Sequence, residues 1–458
     1  MKLTLGQIAD WIHAEGDFDD DAVAYGYSID SRTISAGDLF FAVKGERLDG
    51  HDFVETALKD GAVAAVVSMH WVVPATVDQG KLLRVPEGED CVLAAMQKLA
   101  TAVRRQWGKR VIGITGSAGK TTTKEAVAAV LGAKFKVLKS AGNLNNNFGV
   151  PLQVLRLEPE DEIAVLEMGM NHAGEIALLA KIAEPDWAVV SNVAPVHLEY
   201  FPDGIAGIAR AKYELVEALP TDGIAILNAD DEYVSTFGKG MGSRAVFYGL
   251  GETATVRAEN VHEAGEEGMS FTVVAGGERA EAKLALLGRH NVYNALAGIA
   301  AGLQCGMTLA ECVEGLRQLQ PSDKRGEVLH WRGATLINDC YNSNPRALDA
   351  MVEALLAVKA ERHIVIAGEM LELGPEGPAL HEASGRTMAQ LGIRHVIGVR
   401  GLAEHLVAGA KAGGAESIFV TTPEEAGRWL QANLRAGDAV LLKASRGVRL
   451  ERALAGIH

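Results

Sequence analysis

Seven consecutive residues, Gly116-Ser117-Ala118-Gly119-Lys120-Thr121-Thr122, combine small side chains, one cation and adjacent hydroxyls in the way a polyphosphate cradle requires. The apolar run beginning Arg110-Val111-Ile112 precedes them, and 123–131 carries apolar residues at helical spacing, so the context is strand, glycine turn, helix. In that geometry successive backbone N–H groups and the positive helix N-terminus face the phosphates, Lys120 reaches the terminal ones, and the Thr121 hydroxyl can ligate Mg²⁺. The strict P-loop pattern asks for glycine where Ile114 stands, so the match is to a shorter T-G-x-x-G-K-T-T form. A plain glycine-rich turn at a helix start is the alternative.

Other residues gain meaning from their place on the same scaffold. Glu167 follows the apolar strand 163–166 and so stands at the carboxyl edge of a sheet, where open α/β sheets bind ligands. A carboxylate there could share a Mg²⁺ with Thr121, since Mg²⁺ prefers oxygen ligands and nucleotide phosphates; taken alone, such a residue is more often a solvated turn acid. His197 lies in the loop after the strand 187–190, where a lone histidine is usually structural. Lys212 falls in a helical segment and by default is a solvated face residue. Near the start of the chain, Ser31, Arg32 and Lys44 offer hydroxyl and cationic groups suited to a diphosphate, or form only polar turns. The amide-rich run with Asn143, Asn145 and Asn146 either orients a substrate or is a turn tolerating left-handed backbone.

These groups need about three modules to hold them, because 458 residues exceed one core at about 150 residues per domain. Residues 1–85 read as a small α/β unit, with strands at 38–43 and 64–67 and a helix at 52–59. Residues 86–319 follow a helix at 91–105 with alternating strands (163–166, 187–190, 224–227) and helices, the pattern of a parallel sheet covered on both faces. Within it 252–287 reads as antiparallel strands, then helices at 291–304 and 309–319. A polar, proline-bearing linker at 320–326 opens the third unit, 320–458, whose strands at 335–338, 363–366, 395–399, 418–420 and 439–442 predict a doubly wound, Rossmann-like sheet. The net charge of −15, with no basic blocks, argues against nucleic acid as a partner. Four cysteines without C-x-x-C spacing favour neither a disulfide framework nor a zinc site, and a cytoplasmic setting is expected. The most apolar stretch, 62–77, is interrupted by His70 and Pro74, so no membrane span is expected.

As an ordered series, T-G-x-x-G-K-T-T, then Glu167-Met168-Gly169, then N-x-x-x-x-H-L ending in His197-Leu198, then Ala211-Lys212-Tyr213-Glu214, then Gly288-Arg289-His290-Asn291-Val292-Tyr293-Asn294, the chain resembles the ATP-dependent Mur ligases of peptidoglycan synthesis along essentially its whole length. Asp339-Cys340-Tyr341-Asn342-Ser343-Asn344-Pro345 and Gly368-Glu369-Met370-Leu371-Glu372-Leu373-Gly374 are most similar to the branch that adds D-alanyl-D-alanine. The D-N-P-R motif of the diaminopimelate-adding branch is missing, although Asn344-Pro345-Arg346 comes near it.

The resemblance implies an N-terminal UDP-binding unit, a central P-loop ATPase-like unit and a C-terminal unit for the incoming dipeptide. It implies ATP held by Lys120 and the loop 116–122, with Asn291 and Asn294 on the adenine side, Asp339 at the ribose and Arg325 reaching the phosphates. It implies one Mg²⁺ on Thr121 and Glu167, a second on His197, and a carbamylated Lys212 as a further ligand. Ser31, Arg32, Lys44, Asn143, Asn145, Asn146, Tyr341 and Asn342 become substrate contacts. The implied reaction phosphorylates the carboxylate of a UDP-N-acetylmuramoyl-tripeptide and lets the amine of D-Ala-D-Ala displace the phosphate, in a cytoplasmic monomer. Two other classes stay open: a ligase of the same architecture adding a different amino acid, and a P-loop switch or motor ATPase, which would have no use for Lys212.

Overall fold

A computed structural model of the chain describes every residue except 89, 197 and 456–458. Three α/β units follow one another, each built on its own sheet. In the first, the strands Gly26–Ser28, Asp38–Phe41, Ala64–Ser68 and Leu82–Val85 lie parallel in chain order. The strand expected at 38–43 stops at Phe41 because the chain turns there, Val43 N–H donating to Phe41 O at 2.8 Å. The helix expected at 52–59 begins only at Val54; Gly50–Phe53 forms a tighter turn set by the Asp49 carboxylate, which accepts the His51 N–H at 3.0 Å.

The central sheet has nine strands. Val137–Lys139, Ile163–Glu167, Arg110–Thr115, Trp187–Val190, Ile224–Asn228, Ala245–Gly249 and Val256–Glu263 run parallel in that spatial order, and Met269–Ala275 and Glu278–Leu284 extend the sheet as an antiparallel meander. The antiparallel character expected for 252–287 is thus present, except that Val256–Glu263 also pairs in parallel with Ala245–Gly249. Neither Ala245–Gly249 nor Val137–Lys139 stands out by hydrophobic run; the latter is three residues long with none fully buried. The last helix ends at Leu316 rather than at 319.

In the third unit Ala334–Asp339, Asp438–Lys443, Arg362–Gly368, His395–Val399 and Glu416–Val420 lie parallel, and Glu327–Trp331 adds an antiparallel edge that hydrophobic pattern alone does not reveal. Its two faces carry separate apolar clusters, one around Leu348, Val352 and Val365, the other around Ile364, Leu430 and Val440. No helix among the described residues is long and apolar enough to cross a membrane.

What joins the units differs from seam to seam. Helix Cys91–Trp107 places Val92, Met96, Leu99 and Val103 on one stripe, the spacing of a buried helix face. That stripe belongs to one continuous cluster containing Leu39, Val66 and Leu83 of the first unit and Val111, Leu166 and Val190 of the second. On the central-unit side Arg104 anchors this helix, donating to Ala183 O at 3.0 Å and Asp186 Oδ2 at 2.9 Å. Between the second and third units, Leu287 alone of the central unit's described side chains enters the neighbouring apolar cluster. Polar contacts there include Arg346 with Asp231 at 3.8 Å and His330 with Glu266 at 3.6 Å.

Candidate active site

The glycine turn after Arg110–Thr115 has the conformation that its sequence asks for. Gly116 has φ 154°, and a Cβ there would stand 1.9 Å from Ser191 Oγ, so no other residue fits. Gly119 has φ 79° and precedes helix Lys120–Gly132. The loop after Trp187–Val190 props the turn from below: Asn192 Oδ1 accepts the Ala118 N–H at 2.9 Å, Ser117 Oγ donates to Ala194 O at 3.1 Å, and Ser191 Oγ donates to Ala118 O at 2.7 Å. Lys120 Nζ donates back to Gly116 O at 2.9 Å, which arches its ammonium over the turn.

A cavity of about 430 Å³ opens above this turn, between the second and third units. Ser117, Ala118, Gly119, Lys120, Thr121, Thr122, Asn143, Asn145, Glu167, Asn291, Asn294, Arg325, Asp339, Tyr341 and Asn342 all line it, residues spread over more than 220 positions of sequence and carried by two sheets. Burial pushes the Lys120 pKa down and the nearby Arg325 cation adds to that, while Glu167 opposes both. Arg325 sits over Tyr341, its guanidinium carbon 3.8 Å from the ring centre, so the linker residue is already oriented by the third unit. Lys443 Nζ, buried, donates to Asp339 Oδ2 at 2.5 Å and to Asn342 O at 2.9 Å, fixing both at the carboxyl ends of two adjacent strands.

Glu167 is 2% exposed. Its Oε1 accepts from Asn145 Nδ2 at 2.8 Å, while Oε2 is buried with no hydrogen-bond partner. A buried carboxylate oxygen left without a donor is costly unless something positive completes it. With the Thr121 hydroxyl on the same cavity wall, the donor set is all oxygen, which fits a hard cation such as Mg²⁺. Among the described residues no group of three or more His, Cys, Asp or Glu side chains forms a metal cage.

Lys212, on helix Gly204–Glu217, is 2% exposed, so the default expectation of a solvated face residue does not hold. It makes no hydrogen bond or ion pair with any described residue and does not line the cavity. Burial pushes its pKa well down, and the charge of Lys120 lowers it further. Glu214 of the same motif caps the neighbouring helix Glu175–Ala183, accepting from Gly174 N at 2.8 Å and Ala177 N at 2.9 Å. His197, the remaining expected metal ligand, lies outside the described residues.

The other expected contacts divide. Asn143 and Asn145 reach the cavity, with Gly142 rather than the asparagines taking the left-handed backbone at φ 55°. Asn146 instead accepts the Gly149 N–H at 2.9 Å at the start of helix Gly149–Leu155 and is not among the cavity's lining residues. Lys44 lines a second cavity of about 1010 Å³ with Arg47, His51 and Phe148, between the first and second units. Ser31 and Arg32 line neither cavity; Arg32 is taken up by Asp30 at 2.8 and 2.6 Å.

Sequence reasoning passed over Lys443, Arg346, Asp230 and His290, which line the main cavity. Lys443 ends a recognised strand, so the strand-edge rule that selected Glu167 would have selected it too. His290 stood inside a quoted motif, but nothing local marks it as facing the cavity.

Comparison with known proteins agrees with this layout. Models of the Mur ligase family match along the chain: its catalytic domain at residues 23–107, the middle domain at 114–302 and the glutamate ligase domain at 324–446. The UDP-N-acetylmuramoyl-tripeptide–D-alanyl-D-alanine ligase of Bacillus subtilis is 36% identical over 94% of this chain and 92% of its own length. That of Escherichia coli is 36% identical over 100% of this chain and 99% of its own. A crystal structure of MurF from Acinetobacter baumannii superposes with a TM-score of 0.90 at 30% identity, covering 100% of this chain and 99% of the other. MurF ligase from Thermotoga maritima in complex with ADP gives 0.81 at 30% identity over 94% and 96%. Sequence and architecture therefore agree, and the chain belongs to the Mur ligase family.

Proposed function

We propose that this protein is an ATP-dependent amide ligase that joins D-alanyl-D-alanine to UDP-N-acetylmuramoyl-tripeptide in peptidoglycan synthesis. The observation that carries the reading is the cavity shared by the Lys120 turn and the Asp339 strand end, in a chain whose full-length relatives bear that activity in their names. ATP lies with its phosphates on the 116–122 turn under Lys120 and its nucleoside towards Asn291, Asn294 and Asp339. The tripeptide carboxylate attacks the γ-phosphate, expelling ADP and forming an acyl phosphate. The dipeptide amine then adds to the acyl carbon, loses its proton, and phosphate leaves. Each step brings anions together, so the protein contributes position and positive charge rather than a nucleophile. Lys120 and Arg325 supply that charge from opposite units, and closure of the two around the nucleotide keeps water from the acyl phosphate.

Thr121 and Glu167 would hold Mg²⁺, which when bound offsets phosphate charge. Lys212 supports a second reading: burial pushes its pKa well down and so favours the neutral amine that adds CO₂, and carbamylation would give that side chain an oxygen ligand near Lys120. Together with His197 it would serve a second Mg²⁺. Lys44 and the second cavity would take the UDP end of the tripeptide substrate.

The test is phosphate release from ATP and Mg²⁺ with UDP-N-acetylmuramoyl-tripeptide and D-Ala-D-Ala, each omitted in turn. Dependence on all four supports the reading; release that needs no dipeptide, or that a different amino acid sustains better, contradicts it.

A further inference from the structure

Lys124 lies one turn beyond Lys120 on helix Lys120–Gly132 and is 1% exposed, yet it does not line the cavity. A lysine is almost never buried so deeply without fixed partners. Its Nζ donates to Ser140 O at 2.7 Å and pairs with Glu125 Oε1 at 3.0 Å, and Glu125 is paired in turn with Lys139. No step of the reaction outlined above uses this cation.

Ser140 is the point at which the edge strand Val137–Lys139 gives way to the amide-rich loop. That strand is three residues long and pairs on one side only, so it has little hold of its own on the segment that follows. Buried polar side chains supply the hold: Lys124 takes Ser140 O, and Gln153, 1% exposed, accepts the Ala141 N–H at 2.9 Å through Oε1. The loop so anchored then holds Glu167. The Ser140 hydroxyl oxygen accepts the Glu167 N–H at 3.1 Å, and Asn145 Nδ2 donates to Glu167 Oε1 at 2.8 Å, which leaves Oε2 as the oxygen without a partner. Pairing with Ile114 already fixes the Glu167 main chain, so what the loop sets is the carboxylate. Thr121 stands three residues before Lys124, on the same side of the helix.

We propose that Lys124 is a positioning residue for the Mg²⁺ site: by gripping Ser140 it fixes the loop that carries Asn145 against the helix that carries Thr121, and so sets the gap between the Thr121 hydroxyl and the free oxygen of Glu167. The inference rests on the nucleotide and Mg²⁺ reading given above and adds to it the side chain that ties the two ligand-bearing elements together.

Calorimetric binding of a non-hydrolysable ATP analogue to the full chain, across a series of Mg²⁺ concentrations and with a chelator in place of Mg²⁺, tests it. Lys124→Met keeps the length of the side chain without its donors. It should leave affinity in the chelator unchanged and raise the Mg²⁺ concentration for half of the metal-dependent gain by about 10-fold, the low end of the loss when a group supporting a metal ligand is removed. Lys124→Gln, whose amide stops short of Ser140, is the second variant and should shift the requirement in the same direction. Glu125→Gln removes the neighbouring charge while leaving the Ser140 contact, and should keep the Mg²⁺ requirement of the unaltered protein. An unchanged requirement in a folded Lys124 variant, an equal shift in Glu125→Gln, or loss of the fold in both Lys124 variants overturns the assignment. No binding of the analogue by the unaltered protein, or binding that Mg²⁺ does not strengthen, would bring down the underlying reading and this inference with it.

Discussion

Between the first and second units, helix Cys91–Trp107 sits in one unbroken apolar core, and the two sheets share its buried stripe. Between the second and third, the facing surfaces carry Lys120, Arg325, Arg346 and Lys443 against Glu167, Asp230 and Asp339, with Leu287 as the apolar crossing. The contrast assigns work to each seam. A dry seam resists opening because separating it exposes hydrocarbon to water, so the shared apolar cluster holds the first two units together without a ligand, with the Lys44 cavity lying between them. A charged seam is held by interactions that water and ions can replace, so its stability depends on what occupies it. A ligase that must admit ATP and release ADP needs one seam of each kind.

Mutations can break this comparison from either side. The largest effect is expected in the polar seam: Lys120→Ala should lower turnover by about 10³-fold or more, the scale of removing a cation that stabilises a transferring phosphoryl group. Its melting temperature should stay nearly unchanged. At the dry seam the pattern should invert. Leu99→Ala should destabilise the fold by about 2–5 kcal/mol through the cavity it leaves, measured by denaturant titration, with KM for ATP unchanged in the folded protein.

A smaller effect comes from acid chemistry on helix Pro345–Ala357. Burial raises the Asp349 carboxyl from 3.8 to about 6, and Glu353 beside it adds to the shift. Because the folded chain holds this proton more tightly than the unfolded one, Asp349 costs nothing below pH 3.8 and destabilises increasingly as pH rises towards about 6. Asp349→Asn should therefore stabilise the protein above pH 6 by on the order of 1–3 kcal/mol and have little effect near pH 4. Melting curves across that range check it; equal gains at both ends would remove the ionisation from the explanation.

Parts of this layout were legible before any coordinates. The phosphate turn was, because its glycines, lysine and threonines are contiguous and each answers a local geometric demand. So were most parallel strands, whose two-sided burial writes continuous apolar runs. Short or edge strands such as Val137–Lys139 and Glu327–Trp331 were not, since half-exposed backbone pairs without leaving a pattern. Burial of a charged residue leaves no local trace either: Lys212 reads as a surface lysine on its helix, and only the resemblance singled it out. The hydrogen bonds linking Thr123, Asn294, Asn291 and His290 depend on packing between two helices far apart in sequence, so spacing could mark the residues but not their connection. Ser31 and Arg32, residue types suited to a diphosphate, line neither of the two cavities.

The central claim is that one nucleotide spans the polar seam and leaves the dry one untouched. Amide hydrogen exchange of the full chain, with and without a non-hydrolysable ATP analogue and Mg²⁺, tests it most directly. The account predicts slowed exchange at 116–122 and at 339–344 together, with helix 91–107 unchanged. Protection confined to one side of the seam, or appearing at 91–107 instead, would contradict it.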